Sequence, residues 1–198
     1  MRTPFPRHFQ TGLTAWSSVA MHGRGAHPDD AGTTKCGETL QAASRPFETT
    51  YEQAARRRVQ YFRGRQEQLE QMQEYFAEDK VGKPRVLILQ AMGGQGKSQV
   101  ALEYCRRSHP MYAHIFWVNA HSEATATHSM EQVAGEVGQN ITEMDDPRSK
   151  VKATVNALAR QSQRWLMVLD RYDDPDGFPI MDEFIPSRKP LPCLGATS

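Results

Sequence analysis

From Gln66 onward the apolar positions fall on a helical period, with Leu69, Met72, Tyr75 and Phe76 on one face until the breaker Gly82-Lys83-Pro84. An apolar run over 85–90 then predicts a buried strand. Val100, Ala101, Leu102 and Tyr104 predict a helix over 98–107 that stops around Ser108 to Pro110, and residues 113–120 predict a second strand. Ser122 caps a third helix whose Ala126, Met130, Val133, Ala134 and Val137 share a face. Asp146-Pro147 opens a fourth carrying Val151, Val155, Leu158 and Ala159, and residues 165–169 close the series as a strand. Apolar strands alternating with helices imply an α/β fold with a parallel sheet covered on both sides, linked by right-handed crossovers. Ligands then sit at the carboxyl ends of the strands. Residues 1–49 mix Gly, Pro, Ser, Thr and His without apolar periodicity and are expected to be irregular or disordered. That leaves 50–186 as the folded domain and 187–198 as an irregular tail.

Between the first strand and the helix after it stands Ala91-Met92-Gly93-Gly94-Gln95-Gly96-Lys97-Ser98. Its glycines let successive backbone N–H groups face one centre, Lys97 adds a full positive charge, and the following helix adds the positive end of its dipole. This is the composition of a phosphate-binding loop. Ala91 occupies a position where glycine is usual, and one methyl is tolerable there if the residue keeps negative φ. The strand 165–169 ends in Asp170, which supplies the second half of such a site. Its carboxylate reaches the same sheet edge and can hold the water shell of Mg²⁺ while the Ser98 hydroxyl ligates the ion. Asp173-Asp174-Pro175-Asp176-Gly177 is turn-rich, so Asp170 also reads as a turn starter, and Asp173 or Asp174 is in place to position a water.

A chain of 198 residues with net charge +1 has length for a real core and argues neither for general nucleic-acid affinity nor for a membrane surface. Arg56-Arg57-Arg58 has no interleaved aromatics and reads as a solvated patch. Cys36, Cys105 and Cys193 are odd in number and lack C-x-x-C spacing, which points away from disulfides and zinc. No run is long and apolar enough to span a membrane, so a cytoplasmic protein is expected despite Arg2, Arg7 and Arg24 in a segment free of acidic residues. His114, His121 and His128 fall on a strand, a loop and a helix with no ligand spacing.

Several of these segments together resemble the NB-ARC nucleotide-binding domain of the STAND NTPases, found in NOD-like receptors, plant disease-resistance proteins and fungal NLR-like proteins. The resemblance covers roughly residues 59–186. Tyr61-Phe62-Arg63-Gly64-Arg65 is similar to the family's hydrophobic-Gly-Arg motif, with Gln66 where Glu is usual, and implies that Phe62, Arg63 and Arg65 approach an adenine base. AMGGQGKS is similar to the family's GMGGxGKT and implies that Gly93, Gly94, Gln95, Gly96, Lys97 and Ser98, with Gln99 after them, hold the nucleotide. His114 to Ala120 resembles the strand after the loop helix, and Trp165 to Asp174 resembles the family's WLLVLDNADD, with Arg171 and Tyr172 as departures.

The resemblance implies a P-loop NTPase three-layer sandwich, incomplete at its C-terminal side because the family's sensor strand has no counterpart before Ser198. An open edge on the phosphate-loop strand is then expected, available to protein partners. The implied function is binding of ADP or ATP with Mg²⁺ as a signalling module, with at most slow ATPase activity. Lys97, Asp170 and Asp173 or Asp174 would carry any turnover. Two other readings stand beside it. One is a small-molecule P-loop kinase, for which only Arg188 and Lys189 follow as lid cations; the other is a non-catalytic interaction fragment or truncated product.

Overall fold

In the computed structural model, which describes residues 8–10, 16–23, 48–77, 85–173 and 181–185, apolar runs and helical faces become a sheet between two helical layers. The strands are β1 (His8–Gln10), β2 (Trp16–Gly23), β3 (Arg85–Gln90), β4 (His114–Asn119) and β5 (Trp165–Asp170). The helices are α1 (Thr50–Ala55), α2 (Gln66–Ala77), α3 (Lys97–Ser108), α4 (Glu123–Glu136) and α5 (Pro147–Arg160). Strand order is β1-β3-β2-β5-β4. The pleat sends Leu87, Ile115, Trp117, Leu166 and Val168 to one face, where they pack with α1, α2 and α3. Ile88, Phe116, Val118, Met167 and Leu169 face the other layer, made by α4 and α5. Coverage on both sides is why these strands are continuously apolar rather than alternating.

The sheet is mixed, which corrects the expectation of a parallel one. β4 runs parallel to β5 and β1 parallel to β3, but β2 is antiparallel to both β3 and β5 and lies between them. The edge of β3 expected to be open is therefore paired on one side by β2 and on the other by β1. Residues 8–10 and 16–23 also depart from the irregular chain expected over 1–49. Trp16–Gly23 has a short apolar stretch at Val19 to Met21 and no long alternation, and its ladder bonds come from two neighbouring strands. The rest of 1–47, the breaker Gly82-Lys83-Pro84, Asp174, Cys36, Cys193 and the 187–198 tail with Arg188 and Lys189 lie outside the described residues.

The exposed edge of β4 is closed by side chains. The Trp117 N–H donates to Thr50 Oγ1 at 3.0 Å and the Asn119 N–H donates to Ser129 Oγ at 3.2 Å. Thr50 is brought there by α1, whose N-terminus carries a capping box: Glu52 N–H donates to Thr49 Oγ1 and Thr49 N–H donates to Glu52 Oε2. Capped edges do not template a further strand. Helices α4 and α5 start at Ser122 and at Asp146-Pro147 as the spacing predicts, with Thr125 and Ser149 N–H groups donating to the capping side chains.

On α3 the carboxylate of buried Glu103 accepts from Arg106 Nε at 2.9 Å and Nη2 at 2.7 Å, and from Arg107 Nε at 2.8 Å. Arg107 also donates to Gln66 Oε1, tying α3 to the start of α2. The bond from Arg106 is the main reason the Glu103 carboxyl is held down to about 2 from an ordinary 4.5. Between those values the unfolded chain takes up a proton that the folded chain does not, so stability present above pH 4.5 is lost as pH falls toward 2. Thermal melts from pH 5 down to pH 3 should show a shallower loss of Tm for Glu103→Gln than for the unsubstituted protein; equal slopes would contradict the assignment.

Candidate functional site

The turn from β3 into α3 depends on Gly94 and Gly96, whose φ angles of 77° and 79° lie in the left-handed region that side chains disfavour. Ala91 is buried and keeps negative φ, the condition under which its methyl is tolerable. A Cβ placed on Gly93, Gly94 or Gly96 would meet nothing within 4 Å, so the space in front of the loop is open. Gly96 caps α3 without a side-chain bond, and no acidic residue sits in the first turn. The first-turn N–H groups and the positive end of the helix dipole are thus turned toward that space.

Lys97 is buried, and its Nζ donates to Ala91 O at 2.5 Å and Met92 O at 2.8 Å. An ammonium has three protons, so one donor remains for a ligand while the other two hold the loop closed. One residue on, Ser98 Oγ donates to Asp170 Oδ1 at 2.7 Å. This bond joins the start of α3 to the end of β5, with Asp170 almost fully buried. Among the described residues there is no group of three or more His, Cys, Asp or Glu placed to hold a metal. One carboxylate beside one hydroxyl suits Mg²⁺, which takes its remaining oxygens from water and substrate phosphates.

The segment before α2 approaches the same loop. Gly64 and Arg65 both have left-handed φ, 78° and 55°, and this turn lets Arg65 Nη2 donate to Gln95 O at 2.5 Å. Holding a non-glycine residue there costs about 1–2 kcal/mol. A cleft beside the loop is lined by Arg65, Gln68, Gln71, Leu89, Lys97 and Val100. Phe62 is half-buried against the α1 to α3 cluster, and Arg63 is exposed.

Gln99 follows Ser98 in the first turn of α3. Its Oε1 accepts from Val59 N–H at 2.9 Å and its Nε2 donates to Arg57 O at 2.8 Å, so the side chain ties α3 to the segment before α2 instead of facing the loop. After Asp170 the chain turns at Arg171, φ 65°, and Tyr172 packs on the α4 and α5 cluster. Asp173 is exposed beyond that turn. The three histidines stay apart in role: His114 stacks on Phe116, His128 lies 3.9 Å from Glu131, and His121 is exposed.

Sequence spacing missed two neighbours of Asp170. Asn119 pairs with it across β4 and β5, and Ser18 pairs with it across β2 and β5. Asn119 ends an apolar run in the same way Asp170 does, which is a legible signal; Ser18 gives none. No protein-family model, curated protein or solved structure matches the chain. Among the described residues, no helix is long and apolar enough to cross a membrane.

Proposed function

We propose that the chain binds an adenine nucleotide with Mg²⁺ through the loop from Ala91 to Ser98, as a nucleotide-responsive module of the NB-ARC type with slow or no hydrolysis. The observation that carries this reading is the 2.7 Å bond between Ser98 and Asp170. These residues are 72 apart in the sequence and come from the two segments that a phosphate and magnesium site requires. The glycine turn, the third proton of Lys97 and the uncapped first turn of α3 supply donors for the β phosphate. The cleft between Arg65 and Lys97 supports placing the nucleoside on the α2 side, and the choice of adenine rests on the resemblance at Tyr61 to Arg65. Bound Mg²⁺ would neutralise phosphate charge, with Ser98 as ligand and Asp170 orienting its water. Slow turnover follows from Asp173, which is exposed past the Arg171 turn and not drawn into the Ser98–Asp170 pair.

Calorimetric titration with ADP and ATP, in Mg²⁺ and in EDTA, tests the reading. Mg²⁺ should tighten binding in the unsubstituted protein, and Asp170→Asn should abolish that gain while leaving the affinity in EDTA in place. Binding indifferent to Mg²⁺ in both proteins would contradict the metal role; absence of binding would contradict the function.

A further inference from the structure

The segment joining α1 to α2 is fastened to the start of α3 and to the loop before it. Near its beginning, the Gln99 side chain commits both its acceptor and a donor to one stretch of backbone, taking the Val59 N–H on Oε1 at 2.9 Å and donating from Nε2 to Arg57 O at 2.8 Å. At its end, Arg65 Nη2 donates to Gln95 O within the loop itself. Between these ties Phe62 packs on the α1 to α3 cluster, while Tyr61 and Arg63 on either side of it are exposed.

An amide that bonds a carbonyl and an N–H two residues apart fixes the orientation of that backbone as well as its distance. Gln99 stands directly after Lys97 and Ser98 in the first turn of α3. The segment is thus referred to the same helical turn whose N–H groups face the open space in front of the loop. Gly64 and Arg65 hold left-handed φ angles of 78° and 55°, and a non-glycine residue stays in that region only where its surroundings over-determine it. From this geometry we propose that Gln99 is a positioning residue for the nucleoside: it seats residues 57–65 so that the sugar and base of a nucleotide held at the loop meet Phe62 to Arg65. This rests on the function proposed above.

The side chain of Gln99 is spent on Arg57 and Val59, so removing it leaves the bonds of Lys97 to Ala91 and Met92, and of Ser98 to Asp170, in place. The loss then falls on one half of the ligand. A segment that is no longer held must be ordered by the nucleoside on binding, and affinity drops by the cost of that ordering. An inorganic diphosphate has only the half that the loop holds and is indifferent to where residues 57–65 lie. A loss shared by both ligands would instead mark a residue that shapes the loop.

The test titrates the full chain, Gln99→Ala and Gln99→Met with ADP and with inorganic pyrophosphate in Mg²⁺, and follows backbone hydrogen exchange in all three. Both variants should lose about tenfold in affinity for ADP with pyrophosphate affinity unchanged, the order of one to two neutral hydrogen bonds. Exchange should quicken over residues 57–65 in both variants and stay as it was along α3. Gln99→Met keeps the length of the side chain, so matching losses in the two variants assign the effect to the amide. ADP affinity unchanged in both overturns the inference, as does an equal loss for ADP and pyrophosphate, recovery of ADP binding in Gln99→Met, or faster exchange throughout α3. If the unsubstituted chain binds neither ligand, the proposed function itself fails. If it binds both, with ADP the tighter, and the variants change nothing, only the role of Gln99 fails.

Discussion

Lys97→Ala is expected to weaken both ADP and ATP binding by roughly tenfold to a hundredfold, the loss of a charge-assisted hydrogen bond worth about 1.5–3 kcal/mol. The substitution also removes the donor that Ala91 O and Met92 O share, so the loop loses its internal closure together with its charge. Lys97→Met separates these effects from packing, because it keeps most of the buried stem and discards only the ammonium. The two variants should bind nucleotide equally poorly. Asp170→Asn, by contrast, should show its loss only in Mg²⁺. Fluorescence or calorimetric titration of all three against ADP checks the pattern, and full affinity in Lys97→Ala would remove the loop from the site.

The second large effect is on folding. Gly23 pairs with Trp165 across β2 and β5, and a Cβ added at Gly23 would lie 2.5 Å from Trp165 Cζ2. Trp165 is a rigid ring, buried at 2 % exposure, and has little room to withdraw. Overpacking of this kind typically costs 1–3 kcal/mol, and Gly23→Leu should sit near about 3 kcal/mol because several atoms are added at a closed contact. For a chain of this length that lowers Tm by roughly 6–12 °C. The result bears on the placement of β2. If residues 16–23 were a solvated segment, Gly23→Leu would leave the melt within about 0.5 kcal/mol of the unsubstituted protein.

Much of the sheet was legible because its strands are covered on both faces. Residues 85–90, 113–120 and 165–169 stand out as apolar runs, and the strands β3, β4 and β5 begin and end within a residue of them. Helix starts at Ser122 and Asp146 were legible because a capping side chain leaves a residue-type signature. The meeting of Ser98 with Asp170 followed from loop and strand-end chemistry together. The position of β2 was not legible. Its pairing is made by backbone groups of two other strands, and nothing in Trp16 to Gly23 names those partners or the antiparallel direction.

Helix α1 is a different kind of omission. At six residues it is too short for apolar periodicity, yet Thr49 followed by Glu52 is a capping-box spacing that marks its start. The tie from Gln99 to Arg57 and Val59, and the bond from Arg65 to Gln95, depend on how segments 30 to 42 residues apart are brought together. Such contacts are consequences of tertiary placement, and residue type alone does not specify them.

The central claim is that the loop from Ala91 to Ser98 holds the phosphates of a nucleotide. A crystal structure of the protein grown with ADP and Mg²⁺ tests it most directly. The β phosphate is expected within hydrogen-bond distance of the first-turn N–H groups of α3 and of Lys97 Nζ, with the metal beside Ser98 and Asp170. Nucleotide bound elsewhere, or no phosphate density over Gly94 to Ser98 at saturating ADP, would contradict it.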